Sequence, residues 1–370
     1  MNDKRWMKVI IPHKTIDFFV FYCKIIHLNH KNMPEFDSTI QEIDPGDVIE
    51  EGPDDGGEND FREDAKTART VRGAVDSTLQ LYKISKPLIY SPEKTPISRK
   101  IIHCDTGSGY RMTAASDKGV NYKDHNEDCI FIHPEKDLVV VIDGVGSGTE
   151  GKIAAQWVAV GFSDYPENPE EAVNAAMGYM KRDRINSSTD GACFASARIL
   201  SDNGKRYVDI AKAGDVKVLI FDENYKLVWK TLDNSHVQNE INAGRMTYDE
   251  ALYHPNSNIV IKCISSDKCS IDRLALEVKA GYKVMLGSDG FFANITPEET
   301  EELISGKGYS SEQIITLLSN YTAERMQNAD SILATTNEIG GRQKFGMFSD
   351  GFLTTPNPDN RSMVIVEIPR

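Results

Sequence analysis

From Tyr110 onward, short runs rich in β-branched and aromatic residues recur between turns that carry glycine and aspartate. The runs at 129–132, 138–142, 192–200, 207–211, 216–221, 283–286 and 363–368 predict strands. A helical period appears after Gly151, through Ile153, Ala154, Trp157 and Val158, and again over 171–180, 297–304 and 311–326. Many strand runs with few, long helices between them predict an α+β sandwich with helices packed outside the sheets. No internal repeat is present.

The chain has a different character before that region. Residues 1–33 are basic and apolar, whereas 34–64 are crowded with acids and carry Pro45, Pro53 and the Gly56-Gly57 pair, the composition of a flexible linker. Helix formers recur over 59–83 and predict one helix before Pro87, Pro92 and Pro96, so 65–100 reads as a helical extension and 101–370 as the catalytic domain. The apolar run 16–26 contains Asp17 and Lys24 and is short for a membrane span, so a docking strand or helix is expected and stable membrane insertion is not. A formal net charge of −14 argues against a broad grip on nucleic acid or on an anionic membrane. Cys23, Cys104, Cys129, Cys193, Cys263 and Cys269 form no Cys-x-x-Cys pair. Neither a zinc knuckle nor a disulfide framework is expected, and the cysteines read as reduced thiols of a cytoplasmic compartment.

The candidate chemistry lies at strand ends. Glu127-Asp128 opens one run, Asp143-Gly144 closes another, Ser288-Asp289-Gly290 closes a third and Asp359-Asn360 precedes the last. A strand end is rigid, and a following glycine lets the backbone turn sharply and present its carbonyl to a ligand. Carboxylates that converge there raise one another's pKa unless cations neutralise them. An all-oxygen donor set favours Mg²⁺ or Mn²⁺ over zinc or copper. Two such ions about 4 Å apart can activate one water and clamp a phosphoryl group, which predicts phosphate-monoester hydrolysis.

The segments YRMTAASDKG, NEDCIFI, LVVVIDGVGSGTEGKIAA, GACFASARIL, AKAGDVKVLIF, LDNSHVQNEINAG, HPNSN, GYKVMLGSDGFF and PDNRSMVIVEI occur in this order between Tyr110 and Ile368. In order and surroundings they resemble the type 2C metal-dependent protein phosphatases. The resemblance implies two packed antiparallel β-sheets flanked by helices, with metals at one end of the sandwich, and a phosphoserine or phosphothreonine protein as substrate. It implies that Asp143 bridges two metals, with Glu127 and the Gly144 carbonyl on one ion and Asp289 and Asp359 on the other. Asp128 would orient the nucleophilic water, and Asp215 would help to hold a weaker third metal.

Departures from the pattern define this chain. Lys123 stands where many members place a phosphate-gripping arginine, and lysine offers charge without a bidentate fork. Val145 replaces a histidine that some members carry, Ser147-Gly148 replace the usual Gly-His, and GDVK replaces GDSR. These changes keep open an alternative, a pseudophosphatase that binds a phosphoprotein or regulatory partner without turnover. Other motifs compete less well. The segment 146–152 fits Gly-x-x-x-x-Gly-Lys but is followed by Ile153 rather than Ser or Thr. Six residues separate Cys104 from Arg111, where a cysteine-dependent phosphatase loop needs five, and Asp105-Thr106-Gly107 has no second aspartate loop. Ser349-Asp350-Gly351 reads as a turn, and His125, His236 and His254 lack metal-ligand spacing.

Overall fold

The computed structural model describes residues 80–90, 100–119, 125–146, 149–247, 250–251, 254, 256–257, 259–267, 269–327 and 359–370. The strands are β1 (Gln80–Lys83), β2 (Leu88–Tyr90), β3 (Lys100–Asp105), β4 (Arg111–Asp117), β5 (Cys129–His133), β6 (Leu138–Val145), β7 (Gly191–Asp202), β8 (Lys205–Ala213), β9 (Lys217–Phe221), β10 (Leu227–Lys230), β11 (Asp272–Val278), β12 (Lys283–Gly287) and β13 (Arg361–Glu367). They form one sheet in the order β1-β3-β4-β13-β12-β9-β10 and a second in the order β11-β8-β7-β6-β5-β2. All pairs are antiparallel except β1 with β3, which run parallel at one edge. The helices are α1 (Glu150–Asp164), α2 (Pro169–Arg182), α3 (His236–Asn242), α4 (Asp289–Phe292), α5 (Pro297–Ile304) and α6 (Ser311–Gln327).

The period of two along the strands explains the layering, because successive side chains leave opposite faces. Val139 and Val141 of β6 enter the core between the sheets with Val284 and Leu286 of β12 and Val364 and Val366 of β13. Their alternates Leu138, Val140 and Ile142 enter a second core with Trp157, Val158 and Phe162 of α1 and Val173 of α2. Met285, Met363 and Ile365 enter a third, with Phe291 and Phe292 of α4 and Ile314 and Leu318 of α6. Helices therefore cover the outer face of each sheet, in the α+β arrangement that the sequence implies. The start of α5 is set locally: Pro297 fixes the first helical φ, while Thr296 and Glu299 exchange a capping box. No helix among the described residues is long and apolar enough to cross a membrane.

The sheets begin earlier than the sequence pattern indicates. The helix expected over 59–83 ends in strand β1, whose register with β3 runs from Gln80↔Lys100 to Lys83↔His103; its earlier part lies outside the described residues. Pairing with β3 gives the backbone partners that override a local helical preference. Strand β11 was also not expected, since Asp272, Arg273 and Glu277 interrupt its apolar positions, yet it alternates exposure as an edge strand.

A buried ion pair ties the seven-stranded sheet to α6. Arg361 is 0% exposed. Its Nη2 donates to both carboxylate oxygens of Asp117 at 2.9 Å, across the β13–β4 register, and its Nη1 donates to the Ser319 carbonyl at 2.6 Å and to Thr322 Oγ1 at 3.0 Å. Removing one partner strands a buried charge. Asp117→Ala should cost about 3–5 kcal/mol in urea denaturation, whereas the double change Asp117→Leu with Arg361→Met should cost much less than the two single changes added together.

Candidate metal centre

The registers bring the acidic strand ends to one end of the sandwich. In the seven-stranded sheet, Gly287 at the end of β12 lies opposite Lys217 at the start of β9 and Met363 near the start of β13, while Arg361 lies opposite Asp117 at the end of β4. Asp289, Asp215 and Asp359 flank these positions in the chain. In the six-stranded sheet, Cys129 opening β5 faces Ile142, and Asp143 faces Cys193 near the start of β7. Glu127 and Asp128 sit just before β5 and are 3% and 1% exposed.

Hydrogen bonds from behind fix the loops. The Glu127 amide donates to Asn360 Oδ1 at 2.7 Å, and Asn360 Nδ2 donates to the Lys118 carbonyl at 3.0 Å. Ser288 Oγ donates to Asp128 Oδ2 at 2.7 Å and accepts from the Ser362 amide at 3.0 Å, and Ser362 Oγ donates to Ser116 Oγ at 2.7 Å. Two glycines are required by close approach. A Cβ on Gly290 would lie 1.9 Å from the Asn360 carbonyl oxygen, and one on Gly144 would lie 2.3 Å from that of Gly151 and 2.8 Å from that of Glu127. The glycine and lysine of the P-loop look-alike thus belong to the β6–α1 crossing: Gly151 is where the helix start meets Gly144. Ser147 and Gly148 lie outside the described residues.

The electrostatics record the convergence. Asp143 is pushed well above the usual carboxylate range by burial and then by the charges of Asp289, Asp128, Asp359 and Asp215. Asp289 is raised in the same way, by burial and then by Asp359, Asp215 and Asp128, against a lowering hydrogen bond with Asp143. Burial pushes Asp128 up to about 8, with the Ser288 hydrogen bond opposing and the Asp359 charge assisting. Asp215 is raised by burial and by Asp233, while Lys217, the Cys193 thiol and Lys212 pull it down. Asp289 Oδ1 and Asp215 Oδ1 are buried without a hydrogen-bond partner among the described residues. No three His, Cys, Asp or Glu side chains among the described residues form a closed ligand group. Oxygen-only donors, unsatisfied buried carboxylate oxygens and mutual repulsion fit a hard divalent cation drawing the loops together.

No family model matches the chain. The serine/threonine phosphatase stp of Listeria monocytogenes is 25% identical over 229 residues, covering 56% of this chain and 90% of that protein. The serine/threonine protein phosphatase PstP of Mycobacterium tuberculosis is 22% identical over 204 residues, covering 52% of this chain and 38% of the relative. In backbone, the chain superposes on the crystal structure of M. tuberculosis PstP/Ppp with a TM-score of 0.54 at 19% identity, over 70% of this chain and 99% of the other. Staphylococcus aureus Stp1 gives 0.52 at 20%, over 72% and 98%. This chain is a divergent relative of the type 2C phosphatases.

Within that type 2C frame, some residues were legible only in part. Glu127, Asp128, Asp143, Gly144, Asp215, Asp289 and Asp359 all fall at the sandwich end; Lys123 and the Ser349-Asp350-Gly351 segment lie outside the described residues. Cys104 is buried and its thiol is pushed up to about 12 by burial and Asp105, which removes it as a nucleophile. His125 Nε2 lies 3.1 Å from Glu127 Oε1, a contact that its neighbouring position could have suggested. Lys217, the lysine of GDVK, pairs with Asp233, and Lys212 Nζ donates to the Gly214 and Leu232 carbonyls at 2.8 and 2.7 Å. Burial lowers the Lys212 pKa against the pull of Asp233. Nothing in the spacing of Lys212 marked it as an internal cation.

The raised carboxyls have a measurable consequence. A carboxyl whose folded pKa exceeds its unfolded value stabilises the fold at low pH, and that contribution is lost as pH rises from about 4 toward the folded pKa. Asp143→Asn removes one repelling charge. In chelator at pH 7 the variant should be more stable than the parent chain in urea denaturation, and the gain should shrink as pH falls and vanish below about pH 3, where the carboxyls are protonated in both states.

Proposed function

We propose that this chain is a metal-dependent serine/threonine phosphoprotein phosphatase with a binuclear Mg²⁺ or Mn²⁺ centre. The observation that carries the reading is Asp143, placed at a β-strand end and surrounded by the charges of Asp289, Asp128, Asp359 and Asp215. It is supported by the likeness to PstP, whose catalytic domain has been crystallised with two manganese ions; that structure superposes with a TM-score of 0.51 at 18% identity.

In this reading Asp143, in β6, would be a ligand to both ions, Glu127 and the Gly144 carbonyl would hold one of them, and Asp289 and Asp359 the other. Asp215 adds a weaker third position. Bound there, the ions supply a water of lowered pKa and positive charge against the phosphoryl oxygens. Asp128, held at 2.7 Å by Ser288, would orient the attacking water. Lys123 supplies positive charge to the substrate phosphate as a point cation. Val145 offers no proton donor after Gly144, so the leaving alkoxide takes its proton from solvent at the site.

Hydrolysis of an aryl phosphate should require added Mn²⁺ or Mg²⁺, and Mn²⁺ should raise the melting temperature. Asp143→Asn and Asp289→Asn should each lower turnover by about 100-fold or more, since even outer-sphere partners of metal ligands typically cost 10–100-fold. Metal-independent turnover that survives both changes would overturn the reading. Lys123→Arg should lower KM for a phosphopeptide by about threefold to tenfold with little change in kcat, because a bidentate fork binds ground-state phosphate better. An unchanged KM would remove Lys123 from the phosphate site.

A further inference from the structure

We propose that β11 is a pairing edge for a second copy of this chain, so that two protomers join antiparallel, β11 against β11, about a two-fold axis at Ala275. The backbone opens the case. β11 spans seven residues, Asp272–Val278, and forms one edge of the six-stranded sheet, with β8 as its strand partner among the described residues. Every second residue of such a strand turns its N–H and C=O away from the neighbour it has, so an edge presents a row of these groups to a new strand. The other edge strands are shorter: β1 and β10 have four residues and β2 has three. On β10 the Leu227 amide is also taken, by the Glu301 carboxylate at 3.0 Å.

The side chains of β11 suit a copy of itself. Leu274 and Leu276 are half-buried against the inter-sheet core, which is incompletely covered at this edge. Arg273, Ala275 and Glu277 alternate with them on the outer face and are exposed. An antiparallel two-fold must carry outward-pointing amides onto outward-pointing amides, so its axis falls at a residue rather than between two. Centred on Ala275, it pairs all seven residues. Leu274 then meets the partner's Leu276, and apolar surface is covered on both copies. Arg273 meets the partner's Glu277 on one face of the joined sheet, and the axis repeats the pair. Ala275, the smallest side chain of the strand, meets its own copy. Moving the axis by one residue pairs fewer positions and sets Arg273 against Ala275 or beyond the strand end.

Charge on an edge strand usually guards it against pairing. Here the axis brings opposite signs together, so the same charges repel wrong registers and support this one. Within one copy, Glu277 holds Lys205 at 2.9 Å, and Arg273 holds Asp209 at 2.7 Å and Glu170 at 3.1 Å. Across the axis these pairs join into a row of alternating sign: Lys205, Glu277, the partner's Arg273 and the partner's Glu170. The contact is isologous and uses up both β11 edges, so it closes at two copies. Seven paired residues make a small interface, which places the association among concentration-dependent dimers rather than permanent ones.

The test is sedimentation of the full chain over rising concentration, where the mass should climb from one copy toward two in the high micromolar range. Ala275→Lys sets two cations together at the axis, and Glu277→Lys faces the partner's Arg273 with a like charge. Each should weaken the dimer by about tenfold or more, because like charges directly opposite destabilise a strand pair. Both positions are exposed, so the melting temperatures should stay near that of the parent chain. Register is read by Ala275→Cys under mild oxidation. Cα atoms paired across the axis lie about 4.5–5.5 Å apart, within disulfide range, and a dimer cross-linked through position 275 is expected. Val228→Cys, at an exposed site on β10, should give no such dimer. A mass that stays at one copy throughout would overturn the proposal. So would a dimer that both lysine variants leave intact, or one that Ala275→Cys fails to cross-link. None of these readouts needs turnover, so they stand apart from the phosphatase reading.

Discussion

Mutual repulsion among Asp143, Asp289, Asp128, Asp359 and Asp215 is the constraint around which the sandwich end is built. Each charge makes the next harder to ionise, and burial adds to the cost. Loops that carry such groups swing apart unless something else ties them. The ties are neutral or self-compensated: Asn360 bridges Glu127 to Lys118, Ser288 bridges Asp128 to Ser362, and Asp117 locks Arg361 two residues beyond Asp359. Asp289 Oδ1 and Asp215 Oδ1 take no part in these hydrogen bonds. The framework is therefore satisfied while the carboxylate cluster is not, and such a local violation of otherwise consistent packing marks a functional site.

The same division separates what the sequence made legible from what it did not. Strands such as 138–142 and 363–368 stand out because they are buried on both faces, so their apolar runs are nearly unbroken. The acids at their ends stand out for the same reason, as charges placed where a buried run stops. Strand β11 and the parallel edge pair β1 with β3 were hidden, since an edge strand mixes charge into its pattern and draws its stability from a neighbour distant in sequence. Arg361 and Lys212 were hidden for a further reason. A cation is expected at the surface, and only the three-dimensional placement of Asp117, or of the Gly214 and Leu232 carbonyls, makes burial tolerable. Sequence order cannot reveal a partner 244 positions away.

Cysteine follows the same logic in a milder form. Reading spacing alone, the six cysteines look unrelated, because disulfide partners in a β-sandwich are set by register and not by sequence interval. The isolated bridge between Ala192 and Ile264 brings the segments that carry two of them side by side. The Gly214 turn must also yield space there: a Cβ on Gly214, at a φ of +94°, would approach the Cys193 sulfur to 2.3 Å. Cys193 thus lies opposite Asp143 on one strand and against the turn that precedes Asp215 on the other.

Those halves differ in how their charge is met. Around Asp215 the protein supplies its own cations, with Lys217 paired to Asp233 and both Lys217 and Lys212 lowering the Asp215 pKa. For Asp143 and Asp289 the leading charge effects come only from other acids. Internal lysines near Asp215 weaken its pull on an external cation, because part of its charge is already balanced. Asp143 and Asp289 keep the full repulsive deficit. The two halves therefore differ in charge balance: Asp143 and Asp289 face only other acids, whereas the charge of Asp215 is partly offset by two buried lysines.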